Sequence, residues 1–65
     1  MSDLRSFRVG LALSQERMAE LLGVDRAHLS RLERGERNLT GEQTIRFNLL
    51  RSFAREAVLR VAMQS

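Results

Sequence analysis

The sequence predicts an all-α fold, one compact domain of four to five helices. Three observations predict it. Proline is absent from the 65 residues. Apolar residues recur at three- and four-residue spacing rather than alternating. Capping residues and glycines fall where such helices would start and stop.

Ser2 and Asp3 can cap a first helix with Leu4, Phe7 and Leu11 on one side. Arg8 stands beside that stripe, and Gly10 weakens the helix, which is expected to end near Ala12 and Leu13. Ser14 is a good N-cap for a second helix, Gln15 to Leu22, whose buried side holds Met18, Ala19 and Leu22. Gly23 suits a left-handed helix end. Val24 can plug the turn, and Asp25 caps a third helix, Arg26 to Arg34, which Gly35 terminates. A loop from Glu36 to Leu39 leads to Thr40 and Gln43, spaced for a capping box.

From Gly41 onward neither proline nor a further glycine intervenes. On steps of about 100° per residue, Ile45, Leu49, Leu50 and Phe53 share one side, while Ala57, Val58, Val61 and Ala62 share another, rotated by roughly 100°. Either the helix breaks or kinks near Arg51 to Arg55, or one long helix packs on two different partners. The rotation favours two helices.

A chain of this length buries only about 60% of its unfolded surface, so self-association is the expected source of further stability. It has no cysteine, and its one histidine is His28. A structural zinc site is therefore not expected. No apolar run approaches a membrane span and no signal-peptide pattern opens the chain, leaving cytoplasmic as the default location. The net charge of +3 is modest, and all eleven basic residues are arginine. Charge alone says little about an anionic partner; placement has to decide.

With Arg26 at the origin of a helical wheel, Ser30, Arg34, Ala27 and Arg31 follow within an arc of about 140°. Leu29 and Leu32 fall opposite, and His28 and Glu33 lie at the borders. An ordinary solvated side is the simpler reading of such an arc in isolation. The other reading is a face for a DNA major groove, where arginine pairs with guanine and small Ala27 and Ser30 permit close approach.

The stretch "QERMAELLGVDRAHLSRLERG" resembles the helix-turn-helix of the phage-repressor and Cro-like, or XRE-like, family. The matching residues are Ser14, Gln15, Met18, Ala19, Leu22, Gly23, Val24, Leu29, Ser30, Arg31, Leu32, Glu33 and Gly35. The resemblance implies a repressor-like domain, bacterial or phage-encoded, in which the third helix enters the major groove while the second crosses the backbone. By position it implies base reading by Arg26, Ala27, Ser30 and Arg31. It implies phosphate contact by Gln15, Arg34, Arg37 and Asn38, with His28 either a border phosphate contact or a packing residue. It also implies an internal ion pair of Arg8 with Glu33. Two positions depart from the pattern. Ala12 stands where glycine is frequent, implying a different end to the first helix, and Leu39 stands where proline is frequent, implying a looser loop.

The expected function is sequence-specific binding of a palindromic double-stranded operator by a homodimeric regulator, a repressor. Residues 1–65 form a single domain whose segment from about 50 to 63 is the candidate dimerisation helix, through Leu50, Phe53, Ala57, Val58 and Val61. Core packing is the competing reading of those residues. "TIRFNLL" and "REAVLRV" resemble the C-terminal helices of antitoxin-type members, so the alternative is a regulator that also neutralises a partner toxin protein. An enzyme is not expected. There is no cysteine nucleophile, histidine pair or metal-ligand cluster, and Gly23, Gly35 and Gly41 are too far apart for a phosphate-binding loop. No cofactor is implied.

Overall fold

The computed structural model describes residues 3–64; Ser2, a candidate cap of the first helix, lies outside them. Four helices succeed one another, with no strand among the described residues: α1 (Asp3–Gly10), α2 (Gln15–Leu22), α3 (Arg26–Glu33) and α4 (Gly41–Gln64). The first three have eight residues each. Helices so short do not persist alone in water, so the faces they bury must stabilise them.

Local side chains start the helices. Ser14 Oγ accepts the Arg17 N–H at 3.0 Å, and Asp25 Oδ1 accepts that of His28 at 2.6 Å. At α4, the Thr40 N–H donates to Gln43 Oε1 at 3.0 Å and the Gln43 N–H to Thr40 Oγ1 at 3.2 Å, a reciprocal capping box.

The three short helices end alike. The N–H groups of Leu13, Val24 and Glu36 reach back five residues to the carbonyls of Arg8, Ala19 and Arg31, at 3.0, 3.0 and 2.9 Å. The residue before each is left-handed: Ala12 at φ 57°, Gly23 at 76° and Gly35 at 79°. This is the Schellman motif. Glycine adopts it freely, whereas Ala12 does so against its own Cβ. Ala12 therefore does not change how the helix ends, contrary to expectation. The turn does place that end at Gly10, and Leu11 leaves the buried stripe to lie 42% exposed.

Leu4, Met18, Ala19, Leu22, Leu29, Leu32 and Phe47 form the core, with Phe7, Leu13, Val24, Leu39 and Leu50 packed around them. Leu39 thus ties down the loop that lacks proline.

The C-terminal segment is one helix of 24 residues, which overturns the preference for two. The docked side also differs from expectation. Ile45, Leu49 and Phe53 are exposed, while Phe47 is buried and Gln43, Leu50 and Ala54 are half-buried. Aromatic contacts select this side. Phe7 meets Phe47 edge-on with ring centroids 5.4 Å apart, and the Arg51 guanidinium stacks 4.7 Å above the Phe47 ring. Phe47, Leu50, Ala54, Ala57 and Val61 follow at alternating three- and four-residue spacing, so they share one stripe. The docked face does not rotate, and no break is needed. Beyond Ala54 the body no longer covers the stripe: Ala57, Val58 and Val61 are exposed, the first two across an open apolar groove from Phe7 and Leu11.

Candidate nucleic-acid interface

α3 has two unlike sides. Leu29 is 0% exposed and Leu32 5% exposed, facing the core, while Arg26, Ala27 and Arg31 are exposed. Ala19 is buried where α2 meets the core, and its small side chain suits close packing of α2 against α3.

A buried carboxylate fixes the attitude of α3. Arg8 of α1 donates from Nε to Glu33 Oε2 at 2.7 Å and from Nη2 to Oε1 at 3.2 Å. Its Nη1 donates to the Leu13 carbonyl at 2.9 Å. The Gln15 side-chain amide donates to Glu33 Oε1 at 3.3 Å. The Glu33 side chain is only 4% exposed and that of Arg8 14%. Three helices therefore converge on one carboxylate. A charge so enclosed holds position only while its partners remain.

The remaining arginines lie outward. Arg31 and Arg37 are exposed and pair with no carboxylate among the described residues; Asn38 is exposed beside Arg37. Arg26 lies 3.6 Å from Glu16 of α2, both side chains largely exposed. Arg34 pairs with Glu36 and donates from Nη1 to the half-buried Ser30 Oγ at 3.1 Å. Exposed pairs of this kind contribute little, so an anion arriving from outside can replace either carboxylate.

Two candidate phosphate contacts are placed differently from the outer arginines. Gln15 is half-buried and bound to Glu33, so it is part of the α3 support and not a free arm. His28 Nε2 is buried without a hydrogen-bond partner, which closes that atom to a phosphate. Of the two readings of His28, a border phosphate contact or a packing residue, the enclosed Nε2 favours packing. Arg5, which the wheel of α3 alone does not reveal, lines a cleft of about 180 Å³ with Arg8, Gln15, Ser30, Glu33 and Arg34. Its three-residue spacing from Arg8 on α1 was the available signal.

Two short helices joined by a tight left-handed turn, the second with a cationic outer face, define a helix-turn-helix DNA-binding domain. The chain matches the helix-turn-helix family over residues 4–45 and belongs to it, as a DNA-binding transcription regulator of XRE type. No curated protein and no solved structure matches the chain significantly. No helix among the described residues is long and apolar enough to cross a membrane.

Proposed function

We propose that the protein is a homodimeric repressor that reads a palindromic operator through α3. The observation that carries this reading is the outward side of α3. Arg26, Ala27 and Arg31 stand free of the core while Leu29 and Leu32 anchor the opposite side. Arg26 and Arg31 present forked donors to guanine edges, and Ala27 and Ser30 let the helix approach. Arg34, Arg37 and Asn38 hold the flanking phosphates, which fixes register without reading sequence.

Support for the dimer comes from α4. Its docked stripe continues uncovered through Ala57, Val58 (63% exposed) and Val61 (68% exposed), with Phe53 (68% exposed) at its edge. A second copy laid along this overhang would bury it, and the two-fold pair would present two copies of α3 to a symmetric site. Leu50 belongs half to the core and contributes only its outer edge. The same overhang favours one other reading, an antitoxin whose toxin covers it. A small protein co-purifying at fixed stoichiometry would establish that instead.

The deciding experiment selects bound fragments from random duplex DNA, with Arg31→Ala in parallel. A two-fold motif that the variant blurs, at a loss of about 1–3 kcal/mol on the best site, is the expected result. Recovery of no motif by the folded wild-type chain would overturn the reading.

A further inference from the structure

α4 runs unbroken for 24 residues, so one helical wheel describes all of it. On steps of about 100° per residue, Glu42, Arg46, Leu49, Phe53, Glu56 and Arg60 fall within an arc of about 80°, turned away from buried Phe47. All six are exposed. Leu49 is 54% exposed and Phe53 68% exposed, so the middle of the arc is apolar and bare. The spacing alternates four and three residues, the seam pattern of a helix that pairs with another helix.

The order of these side chains says which helix. It runs acid, base, apolar, apolar, acid, base, and the spacing is the same from either end. A copy of α4 laid antiparallel, with its Phe53 opposite Leu49, brings its Glu56 opposite Arg46 and its Arg60 opposite Glu42. A parallel copy in the same register would set Glu against Glu and Arg against Arg, which repel. An antiparallel copy slipped by one heptad would set Leu49 against Arg46 or Arg60. The pattern is therefore complementary to itself in one orientation and one register. Glu42 and Arg46 already touch within the chain, Nη2 to Oε1 at 3.5 Å. That contact uses one oxygen and one nitrogen, so each group retains capacity for a partner across the pair. Glu56 and Arg60 stand at the same spacing and make no ion pair among the described residues.

We propose that a second copy of the chain binds antiparallel along this outward stripe, with Leu49 of each copy against Phe53 of the other and the four charges matched at the two ends. The proposal rests on the homodimer reading and gives that dimer its orientation and register. Ile45 (63% exposed) and Leu59 (54% exposed) flank one edge of the stripe, placed so that each meets the other across the pair. Ala57 lies at the opposite edge, toward the overhang. By two-fold symmetry both docked sides lie to that same edge, and the antiparallel course sets each overhang beside the reading unit of the other copy. The apolar centre supplies the attraction, and the exposed charges select the orientation.

The chain has no cysteine, so cross-linking can read the register directly. Leu49→Cys and Phe53→Cys are made separately at exposed positions, mixed, allowed to exchange and mildly oxidised. A disulfide needs Cα atoms within about 7 Å. The mixture should yield a covalent dimer joining one variant to the other. Either variant alone should cross-link at most weakly, because like positions are offset by about 6 Å along the axis as well as across it. In a second measurement, Arg60→Glu should weaken association several-fold by sedimentation, and adding Glu42→Arg in the same chain should recover it. Equal cross-linking by the single variants, or an Arg60→Glu chain that associates as wild type does, would overturn the proposal. So would a wild-type dimer whose mixed variants do not cross-link, and the homodimer reading would then stand with its interface elsewhere. A wild-type chain that stays monomeric at every concentration would remove both, leaving the stripe to another protein.

Discussion

Arg8 and Glu33, twenty-five positions apart, form a two-point ion pair that joins α1 to the end of α3. The pair is enclosed on both sides, so the two charges stabilise the fold only together. Arg8→Met or Glu33→Leu alone leaves an unmatched charge and is expected to lower stability by about 3–5 kcal/mol. The double replacement should lose clearly less than the two single losses added. Urea denaturation of all four proteins gives the coupling energy, and strict additivity would mean the two groups act independently.

Ala12 offers the opposite opportunity. It holds φ 57° at a helix end where Gly23 and Gly35 adopt the same conformation without a Cβ. Ala12→Gly should raise stability by about 0.5–1 kcal/mol, the relief of strain exceeding the extra freedom given to the unfolded chain. Gly35→Ala should lower it by about 1 kcal/mol. Space is not the reason there, since a Cβ on Gly35 meets nothing within 4 Å. Melting curves of the two variants should therefore move in opposite directions, and a shift of the same sign in both would refute the strain argument.

Arg37 separates positioning from reading. It lies beyond the end of α3 in the loop toward α4, exposed and away from the α3 arc. Arg37→Ala is expected to weaken operator and random DNA by the same factor and to reduce the salt slope by about 0.9. Arg31→Ala should instead lose more on the operator. Titrations of both variants on both duplexes distinguish the roles, and parallel losses would dissolve the division between them.

Val58 and Val61 test the dimer. Both lie on the overhanging half of α4, more than 60% exposed, so a charge there disturbs little of the core. Val58→Glu and Val61→Glu are expected to change stability of the monomer unit by no more than about 0.5 kcal/mol. Sedimentation should show a monomer where the proposed function makes wild type a dimer, and operator affinity should fall toward that of one half-site. A variant that remains dimeric would move the interface elsewhere.

Much of the fold is legible because the first forty residues carry their own punctuation. Ser14, Asp25 and Thr40 open helices with short side-chain oxygens, and Gly23 and Gly35 close them. Ala12 is not legible as a left-handed residue, because alanine ordinarily signals helix. α4 was harder for a different reason. Counting apolar residues favours the side with Ile45 and Leu49, yet Phe7 on α1 decides the docking by meeting Phe47. The outward arc of α3 needs only one helix to be seen. The bond between Gln15 and Glu33 and the cleft at Arg5 need three helices brought together, and no local spacing encodes them.

The unbroken course of α4 gives the molecule a ruler. Phe47 fixes the helix to the reading unit, and the overhang from Ala57 onward would meet the second copy, with no hinge between them. In the proposed dimer the spacing between the two α3 helices is therefore set by residue count. Inserting one residue between Ala54 and Ala57 would turn the far stripe by about 100° and advance it by about 1.5 Å. The operator would then be misread through its geometry, although every base-reading side chain was still in place.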